Sequence, residues 1–328
     1  MPPAATLGST LRAAAFLARL RSPGGAGPAA VSRPVGEVPC DWYEPRGRPS
    51  ARVVALHGVT VNGKDDHRLV DFARALAASG ASCAVPTLPG LAALRWDPRD
   101  VDAIGRVLDA ATEGGSRPAR VVGFSHGASL ALVAAARPAW STSVAHVLGF
   151  GAFHSLARVF AGLRAAPLPS SPHDRDGFIY TRLVEVRRRA EGLALHAGVC
   201  DAADDLLRRY CDRASEAEKL RFYEEHLAPL AIDRRPDPIA DATVAEISPE
   251  GKLSGLTASV GLVHDPDDLV VPVSEAHALL AELRRAHPGG DHRLLETRLV
   301  RHVSAAGAGG LGEGFALLKM VARLFERR

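Results

Sequence analysis

The chain has 328 residues, with 40 basic and 37 acidic side chains, a net charge of +3 and a sequence pI near 8.8. That length supports one large domain or two small ones around a sizeable core. The near balance of charge leaves no bulk field for nucleic acid, and the 47% hydrophobic content is that of an ordinary globular protein.

Cys40, Cys83, Cys200 and Cys211 have neither the short spacings of a metal site nor the density of a disulfide scaffold, so free thiols are expected. No run approaches the roughly 20 apolar residues of a membrane span. Residues 1–10 contain no Lys or Arg, and Arg12 and Arg19 interrupt the apolar run that follows. This argues against a secretory signal and for a cytoplasmic protein. Residues 11–21 read as a short amphipathic surface helix, with at most a weak contact to a membrane interface and no stable insertion.

Residues 21–36, rich in Pro, Gly, Ala and Ser, read as a linker, so residues 1–36 form an N-terminal helix and linker ahead of the domain. Residues 37–43 form a candidate first strand, and the apolar run at 51–56 a buried one that ends on His57-Gly58-Val59-Thr60. Asp65 or Asp66 caps a helix over 67–79, which Gly80 ends. A strand at 81–85, a Pro- and Gly-containing loop at 86–98 and a helix at 99–113 follow. The strand before Ser125, its helix at 128–136 and a strand at 144–150 complete the first half. Residues 155–250 hold few strand-like runs. Helical stretches at 182–190 and 206–226, broken by prolines, make this segment an inserted cap. Strand, helix, strand and helix then resume at 258–263, 274–285, 292–299 and 314–327. The alternation predicts an α/β protein with a doubly wound, mostly parallel sheet over residues 37–328.

Val121 and Val122 run into Gly123-Phe124-Ser125-His126-Gly127, followed by a small-residue helical segment. Strand, tight turn and helix in that order are the parts of a nucleophile elbow. Such a turn strains the backbone of Ser125 and lifts its hydroxyl clear of the sheet. Gly123 and Gly127 fall where a Cβ would collide with the neighbouring strand or helix. The helix start directs N–H groups and a positive dipole end toward an oxyanion beside Ser125.

Acyl transfer by serine also needs a base, an acid that orients it, and oxyanion donors. The loop from His264 to Pro272 supplies Asp265, Asp267 and Asp268. Asp268 is the first choice, because the Leu-Val-Val-Pro that follows puts it at the turn before the next helix. Asp267 is the reserve and Asp265 a more distant third. His302 follows the last predicted strand and is the candidate base, whereas His292 falls at a strand start and so at the wrong edge. The backbone N–H groups of Val59 and His126 are the candidate oxyanion donors. His57 reads as a side chain tying down its loop, and Gly58 as the residue that lets the backbone approach a substrate. No phosphate loop and no His-Glu-x-x-His pattern occurs, and neither a cofactor nor a metal is expected.

With these elements in the order Ser125, Asp268, His302, the chain resembles the α/β-hydrolase superfamily over residues 37–328. The run from His57 to Leu69 resembles a poorly characterised bacterial branch of it. The resemblance implies a cap after the sixth strand and a Ser125–His302–Asp268 triad acting on a small-molecule acyl substrate such as a carboxylic ester. Two other readings stand beside it. One is a binding protein that keeps the fold without turnover. The other is a Mg-dependent phosphatase using Asp265 and Asp267, an acidic pair at the end of an apolar strand. The oligomeric state is not legible from the sequence.

Overall fold

The computed structural model describes residues 6–21, 27–112, 117–165, 215, 217–218, 221, 224–225, 241–301, 304–305 and 310–326. The predicted helices at 182–190 and 206–226, with Cys200 and Cys211, lie wholly or largely outside these residues.

Eight strands form one sheet in the order β1-β2-β4-β3-β5-β6-β7-β8. They are β1 (Val31–Ser32), β2 (Cys40–Tyr43), β3 (Arg52–Leu56), β4 (Ser82–Pro86), β5 (Ala119–Phe124), β6 (Val144–Phe150), β7 (Ser259–His264) and β8 (His292–Glu296). From β4 to β8 all neighbours are parallel, while β2 runs antiparallel to β4 and β1 antiparallel to β2. The central strands are apolar on both faces, as a sheet covered on both sides requires. In β3, Val54 and Leu56 enter one core while Val53 and Ala55 enter the other; Val121 and Val122 of β5 divide the same way. The α/β architecture with a mostly parallel sheet is as the alternation predicts.

Helices α4 (Arg99–Thr112), α5 (His126–Ala136) and α8 (Val273–Ala286) cover the first face. On the second lie α1 (Leu7–Leu20), α2 (His67–Ala78) and α9 (Leu311–Ala322). Every residue of α5 is buried, which explains its run of small apolar residues: the helix has no solvent face to make polar. Asp66, not Asp65, caps α2, accepting the Arg68 N–H at 3.1 Å.

Three local expectations differ from the structure. The N-terminal helix starts four residues earlier than its apolar run, and its inner face packs into the second core. Ala13 and Phe16 are buried, and Phe16 meets Phe72 of α2 edge-on at 4.9 Å and also packs near Phe325. Leu7 and Leu11 stay exposed. The stretch read as linker contributes β1, whose Val31 and Ser32 pair with Trp42 and Asp41. The loop at 86–98 contains a short helix, α3 (Pro89–Ala92).

The described ends of the inserted segment meet. The flanking helices α6 (Leu156–Ala165) and α7 (Asp241–Ile247) pack together. The Leu156 N–H donates to Ser248 Oγ at 3.0 Å, and the Glu250 N–H donates to the His154 carbonyl at 3.0 Å. Both ends are tied to α8: Glu275 accepts from the N–H groups of His154 and Ser155 and from Arg158. Glu282 accepts from His154 Nε2 at 2.6 Å and from the N–H groups of Gly251 and Leu253. The chain thus enters and leaves the inserted segment at one place, beside α8. Among the described residues no helix is long and apolar enough to cross a membrane.

Candidate active site

Ser125 stands between the end of β5 and the start of α5 with φ 51° and ψ −123°. Among the described residues only Leu94 is another non-glycine residue at positive φ. This backbone costs about 1–3 kcal/mol and persists only where the surroundings enforce it. Here they do. The Ser125 N–H donates to the Phe150 carbonyl at 2.7 Å, and the Ser125 carbonyl accepts the Ala128 N–H at 2.9 Å, which begins the helix. A Cβ on Gly123 would stand 2.6 Å from Ala128 N, and one on Gly127 would stand 2.9 Å from Leu56 O and closer to His57 O. Neither space exists, so strand, turn and helix can approach only with glycine at both places.

The loop after β3 presses on the same corner. A Cβ on Gly58 would lie 3.1 Å from Phe124 O and 3.3 Å from Ser125 Cβ. His57 is buried and holds this loop by both ring nitrogens. Its Nε2 accepts the Leu88 N–H at 2.9 Å, so the ring proton sits on Nδ1, which donates to the Gly58 carbonyl at 2.6 Å. Burial holds its pKa below the ordinary histidine value, keeping the ring neutral. With both nitrogens occupied, His57 is a brace and not a proton carrier. Val59 follows on the same loop, half-buried against the core.

The carboxyl edge of the sheet continues as a chain of backbone bonds. Past Ser125 and Phe150, the Gly151 N–H donates to the Val263 carbonyl at 3.0 Å, and the Thr297 N–H donates to the His264 carbonyl at 2.9 Å. The acid loop therefore lies at the same edge as Ser125, about two strand spacings (~10 Å) along it. In that loop Asp268 is buried, and its Oδ1 accepts the N–H groups of Val270 at 2.8 Å and Val271 at 3.0 Å. Its Oδ2 lies 3.6 Å from His264 Nε2, which donates to the Val271 carbonyl at 2.8 Å. Asp265 and Asp267 have different surroundings. Asp265 is buried and accepts the Asp267 N–H, whereas Asp267 is exposed and paired with Arg298 at 2.8 Å. Among the described residues no group of three or more His, Cys, Asp or Glu could hold a metal ion.

His302 lies outside the described residues; its neighbours Arg301 and Ser304 are backbone partners in a short antiparallel pair. The structure thus brings together Ser125, His126, Gly123, Gly127, His57, Gly58 and Val59 at one corner, with Asp268 farther along the same edge. His292 begins β8, at the opposite edge, as expected. Sequence reasoning did not find Trp96, whose ring lies parallel to the His126 imidazole with centroids 4.3 Å apart. The available signal was its scarcity, as one of three tryptophans in the chain, in a loop that follows a strand.

No family model matches the sequence, and no curated protein does either. Solved structures do match. A hormone-sensitive lipase from a metagenome library superposes with a TM-score of 0.55 at 19% identity, covering 98% of this chain and 92% of its own. A meta-cleavage product hydrolase from Pseudomonas fluorescens gives 0.50 at 20% identity, covering 91% and 97%. The chain has the α/β-hydrolase fold. It spans only 40% of the length of the Pyrococcus horikoshii acylaminoacyl peptidase, which it also matches, at 12% identity and a TM-score of 0.47. In this α/β-hydrolase fold Ser125 occupies the strand-to-helix corner where an elbow nucleophile sits.

Proposed function

We propose that this chain is a serine hydrolase that cleaves a carboxylic ester or a similar acyl compound through an acyl-enzyme on Ser125. The observation that carries the reading is the strained backbone of Ser125, φ 51°, enforced by the glycines and backbone bonds around it. An ordinary serine at a strand-to-helix junction has no need of that conformation. The two superposed structures are named as a lipase and a hydrolase, and the reading agrees with those names in class.

In this reading Ser125 Oγ attacks the acyl carbonyl carbon and its proton passes to the His302 imidazole. The Val59 and His126 N–H groups stabilise the resulting oxyanion. Collapse breaks the bond to the leaving alkoxide, which takes the proton from His302. Water then repeats the sequence and frees Ser125. Asp268 orients the imidazole: with Oδ1 occupied by two backbone N–H groups, its carboxylate is fixed in place. In this reading the segment 155–250, most of which lies outside the described residues, acts as an inserted cap and selects the substrate. The fold does not choose among esters, thioesters and amides.

Hydrolysis of p-nitrophenyl acyl esters of increasing chain length tests the proposal, with Ser125→Ala and His302→Ala as controls. Turnover abolished by both substitutions supports it. Turnover that survives Ser125→Ala overturns it, as does a folded wild type with no turnover on any acyl compound.

A further inference from the structure

We propose that Trp96 is a positioning residue of this site: its indole, together with Phe153, holds the His126 imidazole and thereby fixes the His126 N–H as an oxyanion donor. The inference rests on the acyl-transfer reading of Ser125. Trp96 and His126 stack with centroids 4.3 Å apart and ring planes 11° apart. Phe153 meets the imidazole edge-on at 4.8 Å and 68°, and Phe160 of α6 backs Trp96 at 5.5 Å. All four rings are buried.

Both rings that hold the imidazole are anchored to rigid parts of the fold. Ser129, one turn along α5 and fully buried, donates its hydroxyl to the Phe153 carbonyl at 3.0 Å and accepts the Phe153 N–H at 2.9 Å. Phe153 therefore moves only with the helix that begins at His126. Trp96 ends a loop held by Asp100 of α4, whose carboxylate accepts the Gly90 and Leu91 N–H groups, each at 2.9 Å. The Arg95 N–H closes the same loop on the Gly90 carbonyl at 2.8 Å, through Leu94 at φ 56°.

Core packing alone does not require this arrangement. An imidazole is a poor core filler, and an aliphatic residue at 126 would occupy the space without a buried polar ring. What distinguishes His126 is its bond to Ser125. The peptide unit between them carries the proposed donor N–H, and its tilt follows the His126 Cα. Holding the imidazole between a stacked and an edge-on ring fixes that Cα in a turn already strained at Ser125. A donor must be held to about 0.5 Å to act on an oxyanion. Losing one donor outright costs about 10²–10³ in kcat, so loosening one costs about tenfold.

The test compares wild type with Trp96→Phe and Trp96→Ala, counting functional sites by fluorophosphonate titration and measuring kcat per titrated site. Expected for Trp96→Ala is a fall of about tenfold in kcat per site with KM within roughly twofold of wild type. Affinity for a trifluoromethyl ketone, whose serine adduct carries the oxyanion, falls in parallel. Trp96→Phe keeps a stacking face and recovers most of both losses. If Trp96→Ala fails to fold, Trp96→Leu against Trp96→Phe makes the same comparison. Fewer titratable sites, each with wild-type kcat, mean a merely structural role and overturn the inference. So does a change confined to KM, which marks a substrate contact. A wild type that is folded but neither labelled nor active removes the acyl-transfer reading and this inference with it. A labelled, active wild type with unchanged Trp96 variants removes the inference alone.

Discussion

The backbone N–H of Leu88, just past β4, donates to Nε2 of His57, just past β3, over 2.9 Å. That single bond decides the tautomer of His57 and joins the loops that follow two adjacent strands. It turns the conspicuous histidine of the His57-Gly58 pair into a brace. His57→Gln is therefore expected to lower stability by about 1–3 kcal/mol, since it unmakes buried hydrogen bonds. The variant should turn over more slowly, but still measurably, through displacement of the Val59 N–H. Its acid limb of kcat/KM should stay where it is in wild type, because His57 is neutral and carries no proton in the reaction. Rate profiles from pH 5 to 8 check this; a displaced acid limb contradicts the brace.

Gly58 sets the fit between that loop and the elbow. Gly58→Ala brings a methyl group to 3.1 Å from Phe124 O and 3.3 Å from Ser125 Cβ. Neither neighbour is a flexible side-chain tip, so the loop must yield by a few tenths of an ångström. Expected is a loss of about tenfold or more in the rate of fluorophosphonate labelling. Thermal unfolding should shift by about 1–3 kcal/mol at most. Labelling at the wild-type rate contradicts the close approach.

Phe16 ties the N-terminal helix to the second core, against Phe72 and Phe325. Phe16→Ala should cost about 3–5 kcal/mol in urea unfolding, as for any fully buried aromatic side chain. A loss below about 1 kcal/mol would mean that the helix is an appendage.

His146 on β6 is buried, and burial together with the Arg323 and Arg120 guanidiniums pushes its pKa down to about 3. In the unfolded chain it titrates near 6.5. Between those values the unfolded state binds the extra proton, so this residue's contribution to stability is full above about pH 6.5 and is lost as the pH falls toward 3. Unfolding free energies measured from pH 4 to 6 should rise more steeply in wild type than in His146→Asn, by about 1.4 kcal/mol per pH unit. Equal slopes contradict a neutral buried His146.

Legibility in the sequence followed the range of the interactions. The elbow was readable because its strand, serine, glycines and helix are contiguous, and each constrains the next within a few residues. The parallel sheet was readable from the alternation of apolar runs with helical periodicity. β1 was not, because two residues in a Pro- and Gly-rich stretch carry no period, and their pairing depends on Trp42 and Asp41. The burial of Phe16 depends on partners in α2 and at the far end of the chain. The Trp96–His126 stack joins a loop to a helix thirty residues away, with no local pattern to announce it. Among the aspartates the Leu-Val-Val-Pro context favours Asp268; the structure shows that it accepts two backbone N–H groups and that Asp267 pairs with Arg298, surroundings set by the fold of the loop and not by the local sequence.

The most direct measurement is fluorophosphonate labelling of the folded chain, with the modified peptide located by mass spectrometry. One adduct on Ser125 is expected, absent from Ser125→Ala and lost on heat denaturation, because reactivity comes from the assembled corner and not from the serine alone. A folded protein that takes no adduct, or takes one elsewhere, contradicts an activated nucleophile at Ser125.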